Sequence, residues 1–138
     1  MTIQSATPYF ILNGRASEAI EFYLKALGAT LEVRQTFGDV DGSCPEAKRS
    51  LVMHAVLRFG KTLVMLSDGP GEGPVPKEGA VSVALDFDDA AEQRRVFDAL
   101  AVGGKIFTNI FEAPWGLFGV VDDRYGVSWM VTVMKKAG

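Results

Sequence analysis

A chain of 138 residues with 48% hydrophobic and 22% charged residues has the size and composition of one globular domain. Its net charge of −3 supplies no basic field, which argues against nucleic acid as a partner. A single cysteine, Cys44, and a single histidine, His54, exclude an intrachain disulfide, a thiolate zinc cluster and a metal site with two histidines from one chain.

The sequence predicts neither a secretory signal nor a membrane span. Residues 1–8 are polar and lack the apolar centre of a signal peptide. The apolar runs elsewhere are much shorter than the length that crosses a bilayer. We therefore expect a soluble, cytoplasmic protein with no membrane partner.

The first half of the chain predicts the order strand, helix, strand, strand, strand. Its first strand covers residues 8–12 and stops at Asn13-Gly14, a pair typical of turns. Apolar residues at three- and four-residue spacing predict a helix over residues 16–27, and Gly28 supplies the expected C-cap. The remaining strands are predicted over residues 30–36, 51–59 and 62–67, with a polar loop over residues 38–50.

The second half repeats this order after a segment rich in glycine and proline. Residues 69–79 cannot continue a helix or a central strand, so we expect a linker between a first module at 1–68 and a second module at 80–138. Asp88-Asp89 open the second helix, which is predicted to end near Val102. The strands around it are predicted over residues 81–87, 105–110, 115–121 and 127–133. The repeat predicts one α+β domain built from two βαβββ modules.

Apolar and polar residues alternate along several of these strands. His54 and Arg58 alternate with apolar residues in one strand, and Ser82 and Asp86 do so in another. One face of each sheet should therefore pack under its helix. The opposite face is too apolar for open water and too polar for a solid core, which favours a concave ligand cavity.

Short motifs follow one another in a fixed order along the whole chain. They are Asn13-Gly14, Glu18-Ala19, Phe22-Tyr23, Leu27-Gly28-Ala29, Met53-His54-Ala55, Ser67-Asp68, Gly103-Gly104-Lys105, Trp115-Gly116, Gly119 and residues 123–130. In this order they resemble the PhnB-like branch of the vicinal oxygen chelate superfamily, which includes glyoxalase I, extradiol dioxygenases, fosfomycin-resistance enzymes and bleomycin-binding proteins. The resemblance implies the glyoxalase/bleomycin resistance fold, a cupped, roughly eight-stranded mixed sheet. It also implies a homodimer.

The resemblance further implies where enzymes of the superfamily bind a divalent metal. Their ligands are His, Glu or Gln from the first and last strand of each module. Those four positions fall on Pro8, Met65, Ser82 and Met130 of this chain. Proline and serine are unsuitable ligands, and a thioether prefers soft ions such as Cu(I). We therefore expect no bound metal, no cofactor and no metal-polarised chemistry.

PhnB-like proteins have also been called demethylubiquinone methyltransferases. An enzyme that uses S-adenosylmethionine normally has a glycine-rich turn between a strand and a helix of a doubly wound sheet. The turn at Asn13-Gly14-Arg15 contains one glycine, and residues 86–89 contain none. These residues argue against methyl transfer. The methyltransferase name stays as an alternative description of the function.

His54 and Asp86 are the candidate catalytic residues. We expect His54 to face the cup, either as a general base or ligand-orienting donor, or as a structural histidine bonded inside it. Asp86 is an acid or base if the cup buries it, and otherwise a carboxylate in water at the strand end. Arg58 would bind a carboxylate or phosphate, unless it forms a salt bridge to Asp86 or lies at the rim.

The other predicted ligand-binding residues form a soft, mostly apolar wall, or else plain core packing. They are Phe10, Leu12, Met65, Ser82, Trp115, Phe118 and Met130. Trp115 is expected at the mouth of the cup or at the dimer seam. The predicted function is metal-independent binding of a small organic ligand. The alternative is a glyoxalase-type lyase, or another enzyme that uses His54 as acid or base.

Overall fold

The computed structural model describes residues 5–69 and 81–135. The chain divides into two compact units, Met1–Val75 and Pro76–Gly138. Apart from Gly69, the predicted linker at 69–79 lies outside the described residues. Within the described residues, no helix is long and apolar enough to cross a membrane.

The first unit is a mixed four-stranded sheet with one long helix. Its elements are β1 (Tyr9–Ile11), α1 (Ala16–Leu27), β2 (Thr30–Thr36), α2 (Phe37–Val40), a single 3-10 turn (Glu46–Lys48), β3 (Val52–Phe59) and β4 (Thr62–Ser67). The strands lie in the order β1-β4-β3-β2. β1 runs parallel to β4, while β4, β3 and β2 are antiparallel to their neighbours.

The second unit has the same arrangement. Its elements are β5 (Val83–Phe87), α3 (Ala90–Ala101), β6 (Lys105–Ala113), β7 (Gly116–Asp122) and β8 (Ser128–Met134). The strand order is β5-β8-β7-β6, and β5 runs parallel to β8. The prediction of an α+β fold with two βαβββ modules is confirmed.

α1 forms where the apolar spacing predicts it, and it covers one face of the first sheet. Ala19, Ile20 and Tyr23 on its inner side are fully buried. Gly28 ends the helix in the left-handed conformation, with φ of 66°, which glycine adopts without a steric penalty. This packing gives the first sheet one helix-covered face and one face without a helix.

α3 covers one face of the second sheet in the same way. Val96, Phe97 and Leu100 are buried on its inner side. The buried Gln93 amide donates to the carbonyl oxygens of Leu117 at 3.0 Å and Val131 at 3.3 Å. One polar side chain thus ties the helix to two neighbouring strands.

The loop predicted over residues 38–50 contains structure that the prediction missed. Thr36 and Asp39 form a capping box, in which the Asp39 amide donates to Thr36 Oγ1 at 3.1 Å and the Thr36 amide donates to Asp39 Oδ2 at 3.0 Å. The sequence signal was a threonine followed three residues later by an acidic residue, which is a helix-start pattern. The short helix α2 follows from it.

Candidate functional site

The first open face is the side of the first sheet that faces away from α1. Ala55 and Leu57 of β3 are fully buried on the helix side, so His54 and Arg58 lie on the opposite side. Strand register joins other side chains to them, because Met65 is the Cα partner of both Tyr9 and Val56. We define the first open face as Tyr9, Ile11, His54, Val56, Arg58 and Met65.

Tyr9 and His54 form the polar centre of the first open face. The Tyr9 hydroxyl lies 3.1 Å from His54 Nδ1, and the two ring centroids are 5.8 Å apart. Tyr9 is 45% exposed, and His54 is half-buried. The predicted orientation of His54, away from the helix side, therefore agrees with the structure. Tyr9 was not among the predicted site residues. It precedes Phe10 in β1, and the register of β1, β4 and β3 places it on the first open face.

Arg58 is engaged within its own sheet. Its Nε lies 2.6 Å from Glu32 Oε1, and both side chains are partly exposed. Glu32 on the neighbouring strand β2, which was not among the predicted partners, supplies a carboxylate to Arg58. A bound anion would therefore meet the Glu32 carboxylate next to the Arg58 guanidinium.

Phe10 and Leu12 do not lie on the first open face, which corrects their predicted orientation. Leu12 is 2% exposed, and the Phe10 ring lies 6.0 Å from the ring of the buried Tyr23 in α1. Both side chains belong to the helix side, and Tyr9 and Ile11 take the opposite side. Residues 9–12 are all apolar or aromatic, so alternation gave no signal for which pair faces the core.

The second open face is the side of the second sheet that faces away from α3. Trp129 and Val131 of β8 are fully buried on the helix side, so Met130 and Thr132 lie on the other. Thr132 is the Cα partner of both Asp86 and Phe118, and Met130 is the partner of Ala84 and Val120. We define the second open face as Ala84, Asp86, Phe118, Val120, Met130 and Thr132.

An aromatic cluster lies at the edge of this face. Phe118 contacts Trp115 and Phe111 edge-to-face, with ring centroids 5.5 Å and 6.3 Å apart. Trp115 is 47% exposed and Phe111 is 46% exposed, so the cluster is accessible. Phe118 and Trp115 were predicted to bind the ligand, whereas Phe111 was missed because β6 extends to Ala113, beyond the predicted end at residue 110.

Asp86 and Ser82 have simpler surroundings than predicted. Asp86 is exposed, so it is not buried as one of its two predicted environments requires. Its other predicted environment, a carboxylate in water, fits this exposure. The Ser82 hydroxyl donates to Ser128 Oγ at 3.0 Å, just before β5 begins.

The four positions that correspond to the superfamily's metal ligands do not fit a hard divalent ion. The Pro8 carbonyl accepts a hydrogen bond from the Met65 amide at 2.9 Å, and Pro8 has no side-chain donor atom. Met65 and Met130 offer thioethers, and the Ser82 hydroxyl is bonded to Ser128. Among the described residues, no group of three or more His, Cys, Asp or Glu side chains could hold a metal ion.

Two buried carboxylates that look catalytic are structural. Asp68 is 1% exposed and accepts from the amides of Gly14, Ala16 and Val52, each at 2.8 Å. Asp123 is 4% exposed and accepts from Trp129 Nε1 and from two backbone amides in its own turn. All of these bonds hold the backbone or the core, so neither carboxylate faces a ligand.

Comparison with known proteins places these features in a family. The family model described as 3-demethylubiquinone-9 3-methyltransferase matches residues 4–132. Protein YjdN of Escherichia coli strain K12 is 33% identical over 94% of this chain and 95% of its own length.

Solved structures agree with that match. Protein PA1353 from Pseudomonas aeruginosa is 36% identical with a TM-score of 0.84, covering 97% of this chain and all of its own. The Bacillus cereus PhnB protein, described as a putative 3-demethylubiquinone-9 3-methyltransferase, is 26% identical with a TM-score of 0.80, covering 94% and 99%. A glyoxylase/bleomycin resistance protein/dioxygenase domain from Frankia sp. EAN1pec, 13% identical with a TM-score of 0.63 over 98% of each chain, shares the fold.

Proposed function

Since this chain belongs to the family described as 3-demethylubiquinone-9 3-methyltransferase, in the PhnB-like branch of the vicinal oxygen chelate superfamily, we propose that it binds a small, partly apolar organic molecule without a metal ion. The observation that carries the proposal is the mixed character of the two open faces. Each combines accessible aromatic or thioether groups with only a few polar ones. Ligand sites usually have this composition.

On the first open face, Ile11 and Met65 flank the hydrogen-bonded Tyr9 and His54. On the second, Met130 and the aromatic cluster provide apolar contact area. Thioether and aromatic groups adapt to apolar ligands of different shape, and a few polar groups then fix the orientation of the bound molecule.

The methyltransferase name of the family finds little support in these residues. Cofactor-binding methyl transfer normally uses a parallel, doubly wound sheet with a glycine-rich turn. Both sheets here are mixed, and the turn before α1 has one glycine, Gly14. Binding of an organic ligand needs no such turn.

A second candidate function is acid–base catalysis by His54, as in a lyase. The specific observation that favours it is the 3.1 Å contact between the Tyr9 hydroxyl and His54 Nδ1. A histidine oriented through one ring nitrogen can use the other to exchange a proton with a bound substrate.

A thermal-shift screen against metabolites and antibiotics tests the binding function. Ligands that raise the melting temperature should bind at least about tenfold more weakly to Phe118→Ala, because removing a contacting aromatic ring costs on the order of 1.4 kcal/mol or more. Val40→Ala is the matched control, since Val40 is 55% exposed and lies on neither open face. A screen without any stabilising ligand would contradict the proposal, and equal binding to both variants would exclude the second open face as the site.

Turnover separates the two candidate functions. For a ligand found in the screen, His54→Ala should keep binding and lose conversion if His54 is a catalytic residue. If no conversion of the ligand occurs in the wild type, simple binding is the function.

The proposal includes a homodimer in the cytoplasm. A dimer predicts sedimentation at about twice the chain mass of 14.9 kDa at micromolar concentration. The free thiol of Cys44 is compatible with a reducing compartment. A monomeric mass at all concentrations would rule out the dimer.

A further inference from the structure

We propose that Tyr9 is a positioning residue that holds His54 with its proton on Nε2, so that the first open face offers this N–H to ligands with a neutral oxygen acceptor, such as ketones or amides. The inference rests on the proposed ligand-binding function and names the ligand class for this face.

The hydrogen bond decides which ring nitrogen carries the proton. A neutral imidazole has one donor nitrogen and one acceptor nitrogen. A phenol donates more readily than it accepts, because its oxygen lone pair is delocalised into the ring. The Tyr9 hydroxyl at 3.1 Å therefore donates to His54 Nδ1, and Nε2 keeps its proton.

Tyr9 is the partner that holds the ring. Among the residues that the structure describes, the Tyr9 hydroxyl is the sole hydrogen-bond partner of the His54 imidazole. The two rings also contact each other at 5.8 Å between centroids. Loss of the hydroxyl would leave the two rings in contact but the imidazole free to exchange tautomers.

The charge balance of the face selects a neutral acceptor. Arg58 is the cationic side chain of the first open face, and its Nε already forms an ion pair with Glu32 Oε1 at 2.6 Å, which places a carboxylate beside the charge. The remaining members of the face, Ile11, Val56 and Met65, are apolar, and Gln35, the Cα partner of His54 on β2, adds a neutral amide on the same side. A carboxylate or phosphate would lose hydration here without gaining a free positive charge, whereas a carbonyl oxygen needs only one N–H donor.

The first experiment reads the tautomer directly by nitrogen NMR of the histidine ring. His54 is the only histidine of the chain, so its two ring nitrogens give the only such signals. At about pH 8.5, where an ordinary imidazole is neutral, wild type should show one tautomer with the proton on Nε2. Tyr9→Phe should show a measurable fraction with the proton on Nδ1.

Ile11→Val is the matched control for this experiment, because Ile11 lies on the same face with the same exposure of 45% but has no hydroxyl. It should leave the wild-type tautomer unchanged. A wild-type proton on Nδ1, or identical spectra for wild type and Tyr9→Phe, would overturn the positioning role.

The second experiment tests the ligand class with three probes of similar size. Acetophenone carries a neutral oxygen acceptor, ethylbenzene carries none, and benzoate carries a charge. Acetophenone should move the Nε2 signal saturably, and Tyr9→Phe should weaken its apparent affinity by the inverse of the fraction of rings that keep the proton on Nε2, as the first experiment measures it. Ethylbenzene should leave the Nε2 signal in place, and benzoate should bind more weakly than acetophenone.

The possible failures can be distinguished from each other. Tighter binding of benzoate, or an Nε2 signal that acetophenone does not move, overturns the ligand class. Equal affinity for acetophenone and ethylbenzene also overturns the inference, while the proposed binding function stands. A screen without ligands overturns that function instead.

Discussion

Asp68 shows how one buried side chain can hold together segments that are distant in sequence. Its two carboxylate oxygens accept from amides on both sides of the β1–α1 turn and from the start of β3. The residue before α1, Arg15, provides no side-chain cap, so Asp68 accepts from an amide at the helix N-terminus in its place. A carboxylate 52 residues away thus replaces a local N-cap.

We predict that Asp68→Asn destabilises the protein by about 3 kcal/mol, because it removes a charged acceptor and turns an NH₂ group towards a backbone amide. Thermal unfolding should detect a decrease of about 10 °C in Tm. Asp88→Asn is the control, since Asp88 is exposed and should change stability by less than about 0.5 kcal/mol. Equal effects of the two substitutions would contradict the role of Asp68.

Individual residues also show which side-chain orientations and contacts the sequence can predict. The polar alternation around His54 was sufficient to orient it correctly, and the apolar run at residues 9–12 was not sufficient to orient Phe10. The bonds of Asp68 could not be predicted, because they depend on three segments meeting in space. The partner of Arg58 was missed for the same reason, since Glu32 belongs to another strand.

At the scale of the elements, α3 begins with a local side-chain N-cap, whereas α1 has none. Asp89 is its N-cap and accepts from the Glu92 amide at 3.0 Å. Aspartate at the helix start was visible in the sequence, which explains why the predicted start at residues 88–89 agrees with the structure. The hydrogen bond of this local cap is exposed, so it contributes less to the stability of the fold than the buried hydrogen bonds of Asp68.

We expect Asp89→Ala to cost about 1 kcal/mol of stability, the typical value for an aspartate N-cap. The neighbouring Asp88→Ala is a matched control, because it removes the same charge one residue outside the cap. Chemical denaturation of both variants measures the difference. Similar losses would mean that charge near the helix, not the cap hydrogen bond, is responsible.

α2 provides a prediction of pH dependence. The amide hydrogen bond from Thr36 holds the pKa of Asp39 below its ordinary value of 3.8. Because the folded pKa is the lower one, the capping box stabilises α2 above the ordinary value and is lost as the pH falls through the lowered pKa.

The Thr36 amide resonance should therefore titrate with a midpoint below 3.8. Asp39→Asn should abolish this titration, because the amide side chain has no proton to gain. A midpoint at or above the ordinary value would show that the box does not form in solution.

For the whole molecule, the repeated order of elements was the strongest signal in the sequence. Long amphipathic helices and alternating strands recur in both halves, and this repeat is sufficient to predict the two βαβββ modules. The extent of β6 and the short helix α2 were not predicted. Both depend on local hydrogen bonds that hydropathy does not record.

Metal addition and metal removal both test the metal independence of the whole protein. Because the superfamily's ligand positions carry Pro8, Met65, Ser82 and Met130, we expect much less than one Ni or Zn per chain after metal addition and desalting. A chelator should leave Tm unchanged. Stoichiometric metal, measured by mass spectrometry of the ions, or a chelator-induced loss of stability would contradict metal independence.

The parallel pairing of β1 with β4 and of β5 with β8 has a consequence for biosynthesis. In each unit the first strand to leave the ribosome pairs with the last one, so neither sheet can be completed from a partial nascent chain. The first sheet waits for residues 62–67, and the second waits for residues 128–134. During translation the first sheet is therefore complete while β5 still lacks its partner strand β8. In this interval the edge of β5 is unpaired, and a chaperone could shield it.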